Sequence, residues 1–382
     1  MKLVVIHREP IVERVPNLKA LLLFASDEFD EVLLITSSSE KFPQPVLMKK
    51  NIVVKSTAER SSRFGAPTLM KIMFMLMGSF FRSSFKREEV RYIFAGRGAL
   101  VSAGLLSLFG FRRFIAFVVE YPSIDKIGLG VGSITDRLEF RGIEFARFFV
   151  THDDWHGKLI GGCFSEKANL KYMPLPNSTL NGCSVSGYSS FLHDRLGLDN
   201  KVRIILHSGG FGKWFSSSEL AAQSANLSED FRLVFHCSHD ISNSDYYINY
   251  VSSKSSLDKT VFSNDPVSDS ELDELVSSAY IGVAWYDVNV LGFRAEGMGL
   301  AAGKIGHYLK CGVPIIATRL PSLSYIEDFE CGVLIEDLSG LAGAVARISS
   351  HYARYSQNAK SCHEEMWRPT RYLTNLVKNI KR

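Results

Sequence analysis

The sequence predicts an α/β protein made of two doubly wound units, each with a parallel sheet, joined near the middle of the chain. Apolar runs of strand length alternate with longer amphipathic stretches throughout, the order in which parallel strands and crossover helices follow one another. At 382 residues the chain is long enough for two separate cores. The run Pro176 to Ser190, PNSTLNGCSVSGYSS, is dense in Ser, Gly and Asn and poor in large apolar residues, so it reads as a linker. The expected division is 1–176, a linker at 177–190, a second unit at 191–350 and a terminal helical segment at 351–382.

In the first half, strands are expected at Leu3–His7, Glu31–Thr36, Asn51–Lys55, Arg91–Ala95, Phe114–Glu120, Phe148–His152 and Leu170–Pro174. Helical spacing falls between them, at Asn17–Phe24 after Pro16, Pro67–Arg82, Gly98–Phe109 and Ser133–Phe145. The second half repeats the pattern with strands at Val202–His207, Arg232–Cys237, Thr260–Ser263, Ile281–Tyr286, Pro314–Thr318 and Gly332–Ile335. Two such units imply ligands at the carboxyl ends of the strands, in a cleft between the units. In the last segment Met366, Tyr372, Leu376 and Ile380 keep helical spacing, and Pro369 breaks or restarts the helix.

Composition narrows the function. A hydrophobic share of 46% with 22% charged residues excludes a disordered chain. The six cysteines form no C-x-x-C, so they are expected to be reduced packing thiols and not a disulfide frame or zinc site. The opening MKLVVIH lacks the features of a secretion signal, and no apolar run reaches the ~20 residues that span a bilayer. The expected location is therefore the cytoplasm. Net charge is +4, but residues 1–185 carry 25 Lys and Arg against 18 Asp and Glu, so the first half is the basic one. No dense Arg/Lys stripe with interleaved aromatics appears, which argues against nucleic acid as a partner. Between Gly65 and Arg87, Met and Phe are mixed with Lys71, Arg82, Lys86 and Arg87; this reads either as a core helix or as a helix docking on the inner face of the cytoplasmic membrane.

The densest signal is GLAAGKIGHYLKCGVPIIAT, Gly299 to Thr318. Ala301, Ala302 and Gly303 open a helix whose first N–H groups stay uncovered, which is how a protein holds a phosphate without a metal. Lys304 stands in the first turn and His307 one turn further on the same face, and Gly312 suits a left-handed cap before the strand restarts. This passage resembles the donor-binding segment of GT-B glycosyltransferases, above all the bacterial polysaccharide enzymes with the pattern S-x-K-hydrophobic-x-E-Y-L-x-x-G-x-P-hydrophobic-I. Lys304, Tyr308, Leu309, Gly312 and Pro314 match it, whereas His307 stands where the pattern carries a ribose-binding glutamate.

The resemblance implies further donor contacts. After the first strand of the second unit, HSGGFGKWF places Gly209, Gly210, Gly212 and Lys213 where relatives hold the donor pyrophosphate; the bland alternative is a tight turn with an exposed lysine. Asn264 and Asp265 occupy the loop that passes the nucleotide base, although Asp265-Pro266 also reads as a plain turn; Ser268 or Asp269 would cap the next helix. Glu296 resembles the first acid of the E-x7-E signature of retaining enzymes, but that spacing puts the second acid at Lys304, so the strict signature is absent. In the first half, Glu120 at a strand tip is the candidate base for an acceptor hydroxyl, against a helix cap or a salt bridge; His152-Asp153-Asp154 is a weaker alternative.

The expectation is a metal-independent GT-B enzyme without a cofactor, using a nucleotide-diphosphate sugar as donor and a saccharide or lipid-linked saccharide as acceptor in surface polysaccharide assembly. The alternatives are a nucleotide-sugar epimerase of the same fold, since HREP at His7 resembles a motif of the UDP-sugar 2-epimerases, and a non-catalytic two-lobed nucleotide-sugar-binding protein.

Overall fold

The computed structural model describes residues 1–9, 12, 15–38, 49, 51–58, 89–122, 132–164, 170–237, 246–256 and 258–382. Residues 65–87, the stretch considered for membrane contact, and with them the helix expected at Pro67–Arg82, lie outside the described residues. The chain divides into unit 1, Met1–Thr179 with Pro369–Arg382, and unit 2, Leu180–Arg368.

Unit 1 has a seven-stranded sheet in the order β3-β2-β1-β4-β5-β6-β7, every pair parallel. The strands are β1 (Lys2–His7), β2 (Glu31–Ser38), β3 (Ile52–Ala58), β4 (Val90–Ala95), β5 (Ile115–Phe117), β6 (Phe149–Thr151) and β7 (Tyr172–Pro174). Leu3, Val4, Val5 and Ile6 are all buried, as expected of a central parallel strand covered on both faces. The helices Gly96–Leu108 and Ile134–Glu144 meet backbone to backbone. A Cβ on Gly104 would lie 1.8 Å from the Leu138 carbonyl oxygen, and one on Gly142 would lie 2.2 Å from that of Leu100, so neither position accepts a side chain. The terminal helix Thr370–Lys381 buries Leu373, Leu376, Val377 and Ile380. Arg91 donates to the Ile380 and Lys381 carbonyls at its end, at 3.1 and 2.7 Å, and Arg147 to that of Asn379.

Unit 2 has a six-stranded parallel sheet in the order β10-β9-β8-β11-β12-β13. Its strands are β8 (Arg203–Gly209), β9 (Phe231–Cys237), β10 (Thr260–Ser263), β11 (Ile281–Ala284), β12 (Ile315–Thr318) and β13 (Gly332–Ile335). From β8 the chain winds outward through β9 and β10, and from β11 it winds the other way. The carboxyl ends of β8 and β11 therefore flank a topological switch point, the place where such sheets hold ligands. β1 and β4 make the equivalent switch point in unit 1.

All thirteen expected strands are present among the described residues, most ending within two residues of the expected limits. One difference matters for the site: β5 stops at Phe117 and not at Glu120. The Val118 N–H still reaches the Val150 carbonyl at 2.9 Å, but Glu120 lies beyond the ladder in an exposed bend. Between β11 and the next long helix the chain forms a short helix at Val288–Leu291 and 3-10 turns at Gly292–Gly297 and Gly299–Ala301. No helix among the described residues is long and apolar enough to cross a membrane.

Candidate functional site

The switch point of unit 2 is built around one lysine. β8 ends at Gly209, whose φ of +100° turns the chain in a way an L side chain rarely tolerates. The helix Gly303–Lys310 begins opposite it with no side chain capping its first N–H groups. Tyr308 ties helix to strand: its hydroxyl donates to the Leu206 carbonyl at 2.9 Å and accepts the Ser208 N–H at 2.8 Å. The Lys304 side chain consequently runs past Gly209, with its Cε 3.8 Å from where a Gly209 Cβ would stand. Its Nζ lies 4.1 Å from the centre of the Phe215 ring and 6.0 Å from that of Tyr286.

The Lys304 ammonium is buried and has no hydrogen-bonding partner among the described residues. Burial pulls its pKa down to about 7. The aromatic faces offer cation–π attraction but no opposite charge. Next to it, the buried His207 imidazole shares a hydrogen bond with the Gly210 carbonyl at 2.9 Å; burial and then the Lys304 charge push its pKa well below the usual value.

Of the other expected donor contacts, Gly209, Gly210, Gly303 and Lys304 meet at this point. Lys213 is exposed on a 3-10 turn that ends at Phe215. Glu296 is exposed on the turn Gly292–Gly297. Asn264 is half-buried after β10, and Asp265 pairs with Arg195 at 3.4 Å. Ser268, not Asp269, caps the helix Asp269–Ser277, in a reciprocal pair with Glu271. His307 points at Asp273: its Nε2 is 2.8 Å from Asp273 Oδ1, which also takes the Lys310 ammonium at 2.5 Å. Asp273 Oδ2 accepts the N–H and O–H of Ser184. Burial works to raise the Asp273 carboxyl, but hydrogen bonds from His307, Lys310 and Ser184 overcome it and hold the pKa below the usual carboxylate range.

In unit 1 the switch point presents a residue that sequence reasoning passed over. Glu9 follows β1, and its carboxylate oxygens lie 3.5 Å from where a Cβ on Gly96 would stand; Gly96 has a φ of +75° and opens the helix after β4. Burial and the neighbouring Glu120 raise the Glu9 pKa, opposed by the Gly98 N–H. The signal was available as Gly96-Arg97-Gly98 directly after a strand, but only the strand order brings it beside Glu9. His7, the start of HREP, is a fully buried strand residue whose neutral form is favoured by burial, with its pKa lowered to about 4. Asp153 accepts the His156 N–H at 2.7 Å and caps the helix Asp154–Gly162. His152 is a core residue between Asn17 and the Val119 carbonyl.

No family profile and no curated protein sequence matches the chain. Solved structures do. Sucrose-phosphate synthase from Thermosynechococcus elongatus superposes with a TM-score of 0.71 at 13% identity, covering 100% of this chain and 98% of that one. HepE from Anabaena in complex with UDP-glucose gives 0.68 at 12%, covering 100% and 99%. The UDP-forming α,α-trehalose-phosphate synthase from Burkholderia vietnamiensis gives 0.66 at 12%, covering 100% and 99%. At these identities the likeness is one of fold: the chain has the GT-B fold, two parallel-sheet α/β units of the Rossmann-like kind.

Proposed function

We propose that the protein is a glycosyltransferase that moves a sugar from a nucleotide-diphosphate sugar to a saccharide acceptor. The observation that supports it most is Lys304, a buried ammonium with no hydrogen-bonding partner among the described residues, at the uncapped start of a helix and beside the glycine turn after β8. A donor diphosphate would accept hydrogen bonds from the first-turn N–H groups and pair with Lys304, and Lys213 would add charge from the rim. The charge that develops on the departing diphosphate is then met by groups already in place, so a cation is not needed to stabilise the leaving group. Asn264, Asp265, Glu296 and His307 are the proposed contacts for base, sugar and ribose. Because HepE was solved with UDP-glucose, a uridine diphosphate sugar is the first donor to try.

On the acceptor side, Glu120 is the proposed base for the attacking hydroxyl, with Glu9 beside it. A lipid-linked acceptor, a place in surface polysaccharide assembly and a cytoplasmic protein peripheral to the membrane complete the reading. The test is incubation of the purified protein with UDP-, GDP- and ADP-sugars, with and without lipid-linked saccharides, following release of nucleoside diphosphate. Acceptor-dependent release is the expected result. Interconversion of sugars without an acceptor makes the protein an epimerase, and thermal stabilisation by a donor without any turnover makes it a binding protein.

A further inference from the structure

The helix Gly303–Lys310 carries Lys304 at one end and ends at Cys311, and there the structure brings together two cysteines that are 128 residues apart in sequence. The sulfurs of Cys183 and Cys311 lie 3.1 Å from each other. Cys183 belongs to the irregular segment before the helix Phe191–Leu196 and is held there by its neighbour, because the Ser184 N–H and O–H both bond Asp273 at 2.8 and 3.1 Å. Ser277 Oγ lies 3.6 Å from the Cys183 sulfur, and Cys311 Sγ lies 3.9 Å from the Asp273 carbonyl. Both cysteines are half-buried, within reach of small reagents.

We propose that Cys183 and Cys311 form a reversible disulfide that staples the segment around residue 183 to the helix bearing Lys304. The two thiols are unequal in a way that suits the reaction. Contact with Cys311 lowers the Cys183 pKa to about 6, while the same contact and burial raise that of Cys311. Cys183 is then the thiolate that reacts first. With hydrogen peroxide as oxidant, its sulfur attacks one peroxide oxygen, the O–O bond breaks, and hydroxide leaves with a sulfenic acid on Cys183. That hydroxide takes the Cys311 proton, and the Cys311 sulfur displaces the sulfenic oxygen as a second hydroxide, which picks up the remaining proton. Two thiols and one peroxide become one disulfide and two waters.

A metal ion is the competing use of this cluster, since Cys183, Cys311 and Asp273 offer ligand atoms within 4.8 Å of one another. The geometry disfavours it. Two thiolates on a tetrahedral zinc at about 2.3 Å stand about 3.8 Å apart, wider than the observed contact. Both Asp273 oxygens already accept hydrogen bonds, and the Lys310 ammonium at 2.5 Å repels a second cation. Cys331 and Cys362, in the same unit, are fully buried and serve as an internal control.

The experiment treats the intact protein with hydrogen peroxide, digests it without reductant and maps the peptides by mass spectrometry, alongside Cys183→Ser and Cys311→Ser. The expected product is one linked peptide pair containing Cys183 and Cys311, lost in each variant and reversed by dithiothreitol. The linked protein should also melt at a higher temperature, because a long loop is closed. Over-oxidation of Cys183 without a linked pair overturns the proposal, and so does a link between other cysteines. Stoichiometric zinc in the purified protein, released when the two thiols are alkylated, overturns it in favour of the metal. Either serine variant alone suffices if the other fails to fold.

Discussion

The two ends of the helix Gly303–Lys310 each bury a lysine, and the two lysines live in opposite circumstances. Lys310 is paired with Asp273 at 2.5 Å, and Asp273 is further braced by His307 and Ser184. Lys304 has two aromatic faces and no hydrogen-bonding partner among the described residues. A buried ion that is paired is part of the fold; a buried ion that is not paired costs stability until a ligand arrives. Sequence position alone does not distinguish them, since both are lysines on one short helix.

The largest effect should come from Lys304→Met. It removes the charge proposed to meet the donor diphosphate, so affinity for a UDP-sugar should fall about 10³-fold, or ~4 kcal/mol, by calorimetry. The free variant should nevertheless melt several degrees higher than the parent at neutral pH, because an uncompensated buried cation is gone. The pH dependence gives the same result from another side. With a folded pKa of about 7 against the ordinary 10.5, the unfolded chain binds the Lys304 proton more tightly, so this group makes the free protein more stable as pH rises from about 7 towards 10.5. Lys304→Met should flatten that rise. An unchanged donor affinity would remove Lys304 from the proposed site.

How much of this was readable beforehand follows from the range of the forces involved. Strand order along the chain was legible because apolar runs such as KLVVIH and IIAT report local burial directly. The resemblance around Lys304 and Gly312 was legible because helix start, helix end and strand restart are local events. The surroundings of His307 were not: its partner Asp273 is 34 residues away and Ser184, which also bonds Asp273, more than 120, and nothing in either local pattern links them. Glu9 was hidden for the same reason, since only the parallel pairing of β1 with β4 sets it beside Gly96. The strand before Glu120 was expected to run three residues too far because Val118 and Val119 continue the apolar run after the ladder with β4 has ended at Phe117.

Lys310→Met is the second prediction and should act on stability rather than on the donor. Lys310 and Asp273 are each only 7% exposed in their side chains, so removing the ammonium leaves a buried carboxylate short of its cation. The cost should be about 3 kcal/mol in urea unfolding. Pairing the change with Asp273→Leu should recover much of it, because both charges are then absent. A loss as large in the double variant as in the single one would mean that the pair is not the source.

The smallest effect belongs to His307, and it decides which end of the helix that residue serves. A glutamine at 307 can still donate to Asp273 Oδ1, and Lys310 and Ser184 remain, so His307→Gln should change unfolding stability by less than about 1 kcal/mol. If the imidazole also meets the donor ribose, as its place in the motif implies, affinity for a UDP-sugar should fall about threefold in the same variant, an effect of a single hydrogen bond and not of a charge. The expected result is a modest affinity loss with the melting point preserved. A variant that binds donor as the parent does but melts earlier would make His307 a brace for Asp273 alone, and would leave Lys304 as the one side chain of the helix proposed to meet the donor.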